Sequence, residues 1–283
     1  MIRPAQADLK IGIIGQGFVG RAAKATFTPH YPVFTYDKYN PETSTHLSVN
    51  DVATISNICF VCVPTPMNPD GSCNTFIVEG VVKEISHANK DIIIVIKSTL
   101  PPNSTKLLQK KYHSLIVFNP EFLLERNAEE DFRNTTRVIL GGPRKATTIL
   151  KRFYSKVFPK AHVIKTDSTI AELVKYLTNS FLSVKVSFAN EIYSICNGLD
   201  ADYDKVIEYA LWDDRLGLSH WGVPGPDGHY GFGGSCFPKD LNAVRTLAKE
   251  LSLNIPTIEG AWETNLRVRP EKDWEDLKGR AIS

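Results

Sequence analysis

Short apolar runs recur along the first half of the chain, and helical segments or polar loops separate them. Each run is bounded by polar or turn residues, which is typical of strands buried in a sheet. The predicted strands are residues 10–14, 33–36, 58–63, 92–97, 115–118 and 137–140. Strands that alternate with crossovers predict an α/β fold with a doubly wound parallel sheet. Ligands of such sheets bind beyond the carboxyl ends of the strands.

The pattern changes after Ile164, where apolar residues take up helical spacing. Thr169 and Glu172 have the spacing of a capping box, and the helical pattern runs without Gly or Pro to Cys196. So long a helix predicts a spine between domains or subunits, followed by shorter helices. The expected organisation is a sheet domain over residues 1–165, an all-α domain over 166–268 and a charged tail over 269–283.

Composition places the chain among soluble globular proteins. Its 283 residues are enough for two domains, with 42% hydrophobic and 23% charged residues. A formal net charge of +2 does not favour a nucleic-acid partner. No apolar run reaches the roughly 18 residues that span a bilayer, and no signal peptide is recognisable. We therefore expect a cytoplasmic protein without a membrane partner.

The five cysteines are odd in number and scattered, which suits a reducing compartment. Cys59 and Cys62 form a C-x-x-C, but it lies within an apolar run, whereas a redox motif opens a helix. We interpret both as structural. No metal site is predicted.

The first predicted strand leads directly into a glycine motif, G-x-G-x-x-G. Its residues, Gly15, Gln16, Gly17, Phe18, Val19 and Gly20, are expected to bind a dinucleotide. The three glycines would permit a tight turn, the approach of a pyrophosphate and the packing of helix on strand, in that order. Asp37 ends the second strand 20 positions after Gly17, where a carboxylate accepts the ribose hydroxyls of NAD and repels the phosphate of NADP. Lys38 beside it weakens that discrimination slightly.

Polar or proline-rich turns follow three further predicted strands. Because these strand ends share one edge of the sheet, their side chains are candidates for cofactor or substrate contacts. The candidates are Val63, Pro64, Thr65, Ser98, Thr99, Glu121, Phe122, Leu123, Leu124 and Glu125. Any one of these turns alone would be an ordinary connection between two elements and would not indicate a site.

The most informative segment is residues 231–240, in which Cys236 follows a run of glycines and precedes Pro238. Proline suits the first turn of a helix, so the thiol is expected at a helix N-terminus. Such a position favours the thiolate, and Lys239 adds to the effect. Asp240 can serve as a carboxylate partner of the cysteine. We predict a nucleophile for covalent catalysis; the alternative is a buried cysteine beside a glycine-rich turn.

Two polar residues of the spine helix, Lys175 and Asn179, lie four positions apart on one face. A lysine and an asparagine together can donate hydrogen bonds to an oxyanion. Their spacing alone is equally typical of a solvated helix face.

Taken in order, these motifs resemble the UDP-glucose/GDP-mannose dehydrogenase family of nucleotide-sugar 6-dehydrogenases. The resemblance rests on the glycine motif and on the segments that contain Thr65, Ser98, Glu121, Lys175, Asn190, Arg215 and Cys236. It covers residues 10 to 242. The chain departs from the usual family motif at Leu124 and Arg126, where arginine and glycine are normal.

The resemblance implies oxidation of a C6 alcohol to a carboxylate with two NAD in sequence, through a thiohemiacetal and a thioester on Cys236. It implies that Lys175 and Asn179 stabilise the alkoxide, and that Thr99 and Asp240 hold a water. Glu125 would lie near both cofactor and hydrolytic water. It also assigns Lys239 to the cofactor. The residues implied to bind substrate are Glu121 to Leu124, Lys175, Asn179, Arg215, Phe232, Gly233 and Cys236.

The implied substrate is UDP-glucose, with GDP-mannose or another nucleotide sugar as the alternative. The chain is shorter than the family norm, and we expect it to lack the family's C-terminal domain. Either the site works in a reduced form, or a separate chain supplies the missing part. A non-catalytic nucleotide-binding subunit is the remaining alternative. The long helix predicts a homodimer, because its apolar surface would otherwise be exposed.

Overall fold

Seven strands form a single sheet in the computed structural model, which describes residues 9–283. They are β1 (Ile11–Ile14), β2 (Val33–Tyr36), β3 (Ile58–Val61), β4 (Ile93–Ile96), β5 (Leu115–Phe118), β6 (Arg137–Gly141) and β7 (His162–Thr166). Their order is β2-β1-β3-β4-β5-β6-β7. Neighbours are parallel except β5 and β6, which pair antiparallel. The predicted α/β fold is thus confirmed, with a Rossmann-type sheet that is parallel from β1 to β5, whereas β6 and β7 run in the opposite direction.

The seventh strand was missed by the sequence analysis. β7 lies at the edge of the sheet, and His162, Ile164 and Lys165 are exposed along it. None of its five residues is buried, so it lacks the continuous apolar run by which the other strands were predicted.

Six helices cover the two faces of the sheet. They are α1 (Phe18–Phe27), α2 (Val49–Ile55), α3 (Phe76–Ala88), α4 (Ser104–Tyr112), α5 (Ala128–Arg133) and α6 (Arg144–Val157). On one face Phe27, Phe60 and Phe153 pack ring against ring, with centroids 5.0 to 5.8 Å apart. On the other face Val61 and Ile94 lie in a separate aliphatic cluster. Because both faces are buried, the strands read as unbroken apolar runs.

The spine helix α7 (Ser168–Gly198) begins differently from the prediction. Asp167, not Thr169, caps it, since Oδ1 of Asp167 accepts from the backbone N–H of Thr169 at 2.9 Å. Glu172 instead caps α4: its carboxylate accepts from the backbone N–H groups of Asn103 and Thr105 at 2.7 and 2.8 Å. The capping-box prediction was wrong because Glu172 is buried against α4, where it satisfies two backbone donors.

The described chain divides into two compact units at different points from those predicted. The first contains residues 9–65 and 75–175, and the second contains 66–74 and 176–283. The second unit carries the rest of α7 with α8 (Tyr203–Ala210), α9 (Phe237–Glu250) and α10 (Pro256–Val268). No described helix is long and apolar enough to cross a membrane.

Residues 269–283, expected to be a tail, are packed into the second unit. Arg269 and Trp274 are each only 2% exposed. Met67 and the end of the chain also pair, because the Met67 N–H donates to Ala281 O at 2.8 Å and the Ser283 N–H donates to Met67 O at 2.9 Å. Because the segment is rich in charged residues, its sequence did not indicate that Arg269 and Trp274 would be buried.

Candidate active site

The glycine motif forms a tight turn between β1 and α1. Gly15 has a φ of +92°, and a Cβ there would meet the Cys62 carbonyl oxygen at 2.5 Å. A Cβ on Gly20 would lie 1.9 Å from the Gly15 carbonyl oxygen, so helix and turn could not pack as they do. A Cβ on Gly17 would meet no described atom within 4 Å. The three positions therefore have the turn, packing and open-approach properties expected of them.

The N-terminus of α1 fits the pyrophosphate of a dinucleotide. Gly17 is its N-cap and offers no side-chain acceptor, and the first turn contains no acidic residue. Phe18 and Val19 are the first two residues of this helix. The backbone N–H groups of its first turn and the helix dipole favour an anion there. Gln16 is buried behind the turn, and its Oε1 has no hydrogen-bond partner in the described part of the chain.

Asp37 follows β2 and closes the same turn from the other side. Its Oδ2 accepts from the Gln16 N–H at 2.6 Å, and its Oδ1 accepts from the N–H groups of Tyr39 and Asn40 at 2.8 Å. Burial raises the pKa of this carboxyl, but these hydrogen bonds outweigh it and hold the pKa below its ordinary value. Asp37 is therefore an ionised acceptor. Lys38 next to it is exposed, with Nζ 5.6 Å from the Tyr39 ring centroid.

Two of the strand-end turns are tied together by a side chain. Ser98 Oγ, after β4, donates to the carbonyl oxygen of Val63, after β3, at 2.6 Å. Thr65, Ser98 and Thr99 are all buried, whereas Pro64 is exposed. The sheet edge thus presents polar groups held by packing, as the sequence predicted for these strand ends.

The turn after β5 contains a buried ion pair. Lys175 Nζ donates to Glu121 Oε1 at 2.9 Å and to the Glu121 carbonyl oxygen at 2.8 Å. The second carboxylate oxygen accepts from the Leu123 N–H at 2.8 Å. Burial raises the pKa of Glu121, but the Lys175 ammonium outweighs it and holds that pKa below its ordinary value. Sequence analysis gave both residues a substrate role and did not foresee that they pair.

The rest of this turn differs in exposure. Phe122 is half-buried, and the ring centroid lies 4.2 Å from the Arg137 guanidinium. Leu124 is exposed, and Glu125 is exposed at the start of a short 3-10 helix, Glu125–Asn127. Glu121 and Glu125 are therefore in different environments, one in an ion pair and one at the surface.

In the second unit, Cys236 is the N-cap of α9 and is half-buried, as predicted for a thiol at a helix N-terminus. Ser235 Oγ lies 3.8 Å from its Sγ. Pro238 is in the first turn of the helix. The helix dipole at this end favours a thiolate over a thiol.

Two further groups close to Cys236 form a buried network. Asp240 is 2% exposed, accepts from Asn179 Nδ2 at 2.6 Å and pairs with Lys239 at 2.5 Å. Burial lowers the pKa of Lys239, but Asp240 and then Cys236 outweigh it, so this pKa lies above its ordinary value. Lys239 is therefore a permanent cation near the thiol. Asp240, which was predicted as a carboxylate partner of the cysteine, is bound to Asn179 and Lys239.

The glycines before Cys236 differ in their surroundings. A Cβ on Gly233 would lie 2.2 Å from Asp273 Oδ1 and 2.5 Å from Arg269 Nη2, so this glycine permits packing within the unit. Gly234, with a φ of +69°, has open space around its Cβ position among the described residues. It was not among the predicted site residues.

Side chains from the supposed tail and from α10 hold this segment. Asp273 Oδ2 accepts from the Gly234 N–H at 3.0 Å, and Arg269 Nε donates to Asp273 Oδ1 at 2.6 Å. The buried Phe232 exchanges two hydrogen bonds with the side chain of Asn265, at 2.7 and 2.9 Å. Asn265 and Asp273 were not predicted as site residues, because the segment that they hold lies more than 30 positions away.

Arg215 lies in a 3-10 helix, Asp214–Leu216, apart from this network. Its side chain is 88% exposed and pairs with Asp213 at 2.5 Å. Among residues 9–283, no group of three or more His, Cys, Asp or Glu is arranged to hold a metal ion.

A dinucleotide-type glycine turn in one unit and a thiol at a helix N-terminus in the other are the two features that the comparisons have to account for. Comparison with known proteins identifies the family. Residues 35–158 match the NAD binding domain, and residues 169–267 the central domain, of the UDP-glucose/GDP-mannose dehydrogenase family. The chain belongs to this family, and its first unit contains the family's NAD-binding domain.

Relatives and solved structures agree with that assignment. The chain is 35% identical to a UDP-glucose 6-dehydrogenase of Rickettsia bellii over 79% of its length and 54% of the relative's. It is 37% identical to the Bacillus subtilis UDP-glucose 6-dehydrogenase TuaD, over 81% and 51%. The chain thus spans about half the length of these curated relatives.

Among solved structures, a UDP-glucose dehydrogenase of Pyrobaculum islandicum aligns with a TM-score of 0.84 at 27% identity, covering 99% of this chain and 73% of that one. A GDP-mannose dehydrogenase of Pseudomonas aeruginosa aligns with a TM-score of 0.66 at 23% identity, covering 94% and 70%. The second match shows a shared fold.

Proposed function

We propose that this chain carries the cofactor-binding and thiol-bearing parts of an NAD-dependent nucleotide-sugar 6-dehydrogenase that converts UDP-glucose to UDP-glucuronate. The observation that carries the proposal is the half-buried Cys236 at the N-terminus of α9, beside the buried Lys239–Asp240 pair. A thiolate adds readily to an aldehyde, which explains why a dehydrogenase of alcohols would need one. The names of the relatives support UDP-glucose as substrate.

The overall reaction consumes one alcohol, two NAD⁺ and one water, and yields one carboxylate, two NADH and three protons. Bound NAD supplies the acceptor for both hydrides. The Cys236 thiolate adds to the intermediate aldehyde to form a thiohemiacetal, and its oxidation product is a thioester on the same sulfur. Water then attacks the thioester carbonyl, the C–S bond breaks, and the thiolate is regenerated.

The polar residues have separate tasks in this scheme. Lys175 and Asn179, one turn apart on α7, donate hydrogen bonds that stabilise negative charge on the substrate oxygen. Asp240 fixes the Asn179 amide through the 2.6 Å hydrogen bond and, with Thr99, holds the water that moves protons. Glu125 assists the hydrolytic water. Glu121 holds the Lys175 ammonium, while Phe122, Leu123, Leu124, Phe232 and Arg215 contact the nucleotide sugar.

The test of substrate class is NADH formation by the purified chain with UDP-glucose and with GDP-mannose, each at saturating NAD. We expect kcat/KM for UDP-glucose to exceed that for GDP-mannose. The reverse order would reassign the substrate. Tight NAD binding without turnover on either sugar would support a non-catalytic nucleotide-binding subunit, or dependence on a separate chain.

Asp37 sets the preference for NAD in this account, and substitution with asparagine tests it. Asp37→Asn removes the charge that binds the ribose hydroxyls and repels a 2′-phosphate. We expect the affinity for NAD to fall on the order of tenfold, as for loss of a hydrogen bond to a charged group. The ratio of the affinities for NAD and NADP should fall as well. Titration of both cofactors measures this. Lys38→Gln is the comparison variant: it removes the neighbouring positive charge, so the preference for NAD over NADP should widen slightly there and narrow in Asp37→Asn.

We propose a homodimer formed through α7. In the second unit its outer face exposes Leu177, Phe181, Phe188 and Ile195, each at least half exposed. Contiguous apolar side chains on one helix face suit a second copy of the same face. We expect light scattering to give twice the chain mass, and Phe181→Asp with Phe188→Asp to give a monomer. Lys249→Asp, on α9, is the charge-change control; a native monomer at working concentration would contradict the dimer.

A further inference from the structure

Lys97 is a buried cation that the reaction scheme above does not use. It follows β4 directly, and its side chain is 5% exposed. Its Nζ donates to Asn119 Oδ1 at 3.0 Å and to the Asn119 carbonyl oxygen at 3.4 Å. It also lies 5.3 Å from the centroid of the Phe132 ring. Both hydrogen bonds therefore fix Asn119, the first residue of the turn after β5.

Asn119 is fixed in a single orientation by three elements. Its Nδ2 donates to the Ile139 carbonyl oxygen on β6 at 2.8 Å, so its Oδ1 faces the opposite way. That Oδ1 accepts from both Lys97 and the Tyr154 hydroxyl, the latter at 2.5 Å. Asn119 stands two positions before Glu121, which forms the ion pair with Lys175. Lys97 thus anchors the start of the turn whose end holds a proposed catalytic lysine.

The charges around Lys97 make the arrangement unusual. Glu121 and Lys175 are close enough to act on it, as is the Cys62 thiol after β3. The one buried carboxylate of Glu121 thus interacts with two buried lysines, Lys97 and Lys175. Burial lowers the pKa of Lys97 to about 8, while Cys62 and Glu121 oppose the shift and Lys175 reinforces it. In turn, Lys97 is one of the groups that keep the pKa of Glu121 low.

Stability does not explain why a lysine occupies this position. When the pKa of a lysine is lower in the folded state than in the unfolded state, the protonated lysine destabilises the fold, because the folded state disfavours the charged form. A neutral side chain of similar length would fill the same space without that cost. Residues that cost stability without binding substrate are common near functional sites.

We propose that Lys97 is a positioning residue for the dehydrogenase reaction: through its hydrogen bonds to Asn119 it fixes the turn of residues 119–121, and it places a positive charge near the carboxylate that pairs with Lys175. This inference rests on the proposed function. Lys97 acts through Asn119 and Glu121 and touches neither substrate nor cofactor in this account.

The kinetic test compares Lys97→Met, Lys97→Arg and Tyr154→Phe with the native chain between pH 6 and 10. We expect Lys97→Met to lower kcat roughly tenfold, less than the hundredfold or more of a donor that touches an oxyanion, with KM little changed. Native kcat should fall as pH rises through about 8, because Lys97 then loses its charge and its charge-assisted hydrogen bonds to Asn119 weaken. Lys97→Arg, charged throughout, should lack that fall, and Tyr154→Phe, which loses only a hydrogen bond to Asn119, should keep it. A native profile retained in Lys97→Arg would overturn the proposal.

A second readout does not depend on turnover. With 13C-labelled glutamate, we expect the Glu121 carboxyl to titrate at higher pH in Lys97→Met than in the native chain, and at an unchanged pH in Tyr154→Phe. If Lys97→Met does not fold, Lys97→Gln keeps a donor to Asn119 without the charge. An unchanged Glu121 titration in the folded neutral variant would overturn the proposal. Absence of NADH from the native chain together with a shifted titration would refute the proposed function and leave the coupling intact.

Discussion

Cys236→Ser is expected to abolish the net conversion of UDP-glucose to the acid, lowering the rate at least about a thousandfold. A serine hydroxyl at this position stays un-ionised near neutral pH, so the helix dipole and Lys239 have no anion to stabilise. The aldehyde would then not be captured, and no thioester would form. The measurement is NADH formation at saturating UDP-glucose and NAD.

Cys73→Ser is the matched control for this substitution, because Cys73 is also half-buried in the second unit and lies near Lys239. We expect it to retain most of the native rate. NAD titration should give the same affinity for both variants and the native chain, since the glycine turn is in the other unit. Native activity in Cys236→Ser would remove the covalent mechanism.

Glu121→Gln is expected to destabilise the first unit by about 3–5 kcal/mol, the usual cost of leaving a buried charge without its partner. The substitution leaves Lys175 without its carboxylate at 2.9 Å, and Lys97 without the nearby negative charge. Urea unfolding at pH 7 measures the loss. Lys106→Ala is the control, since the Lys106–Asp167 pair, at 3.0 Å, is about half exposed. Such a surface pair is worth about 0–1 kcal/mol.

The sign of the pH dependence follows from the lowered pKa of Glu121. The stabilisation from its ionised form is complete above the ordinary glutamate value of 4.5 and is lost as pH falls through the lower folded value. The difference in unfolding free energy between native chain and Glu121→Gln should therefore shrink in acid. A difference of less than 1 kcal/mol at pH 7, or one that grows in acid, would contradict the buried ion pair.

The fold was largely predictable because local pattern and topology agree. Strands β1, β3 and β4 are buried along their whole length, so each produced an unbroken apolar run, and the glycine motif then indicated the type of sheet. β7 was missed because none of its residues is buried. Glu172 was misread because spacing along one helix cannot reveal that a carboxylate caps a different helix, α4.

The site was predictable only where chemistry is local in sequence. Cys236, Pro238, Lys239 and Asp240 lie within one helical turn or its cap, so their relation could be read directly. Lys97 and Asn119 are 22 positions apart and meet only because β4 and β5 are neighbours. Arg269 was assigned to a tail because a charged segment gives no sign that one of its guanidinium groups is buried against Gly233.

The central claim is that one chain carries an alcohol through to an acid on Cys236. The most direct measurement is the amount of NADH formed per UDP-glucose consumed by the purified chain at saturating NAD. We expect two NADH per sugar, with UDP-glucuronate as product. One NADH per sugar with release of the free aldehyde would contradict it, because the thiol would then have no part in the reaction.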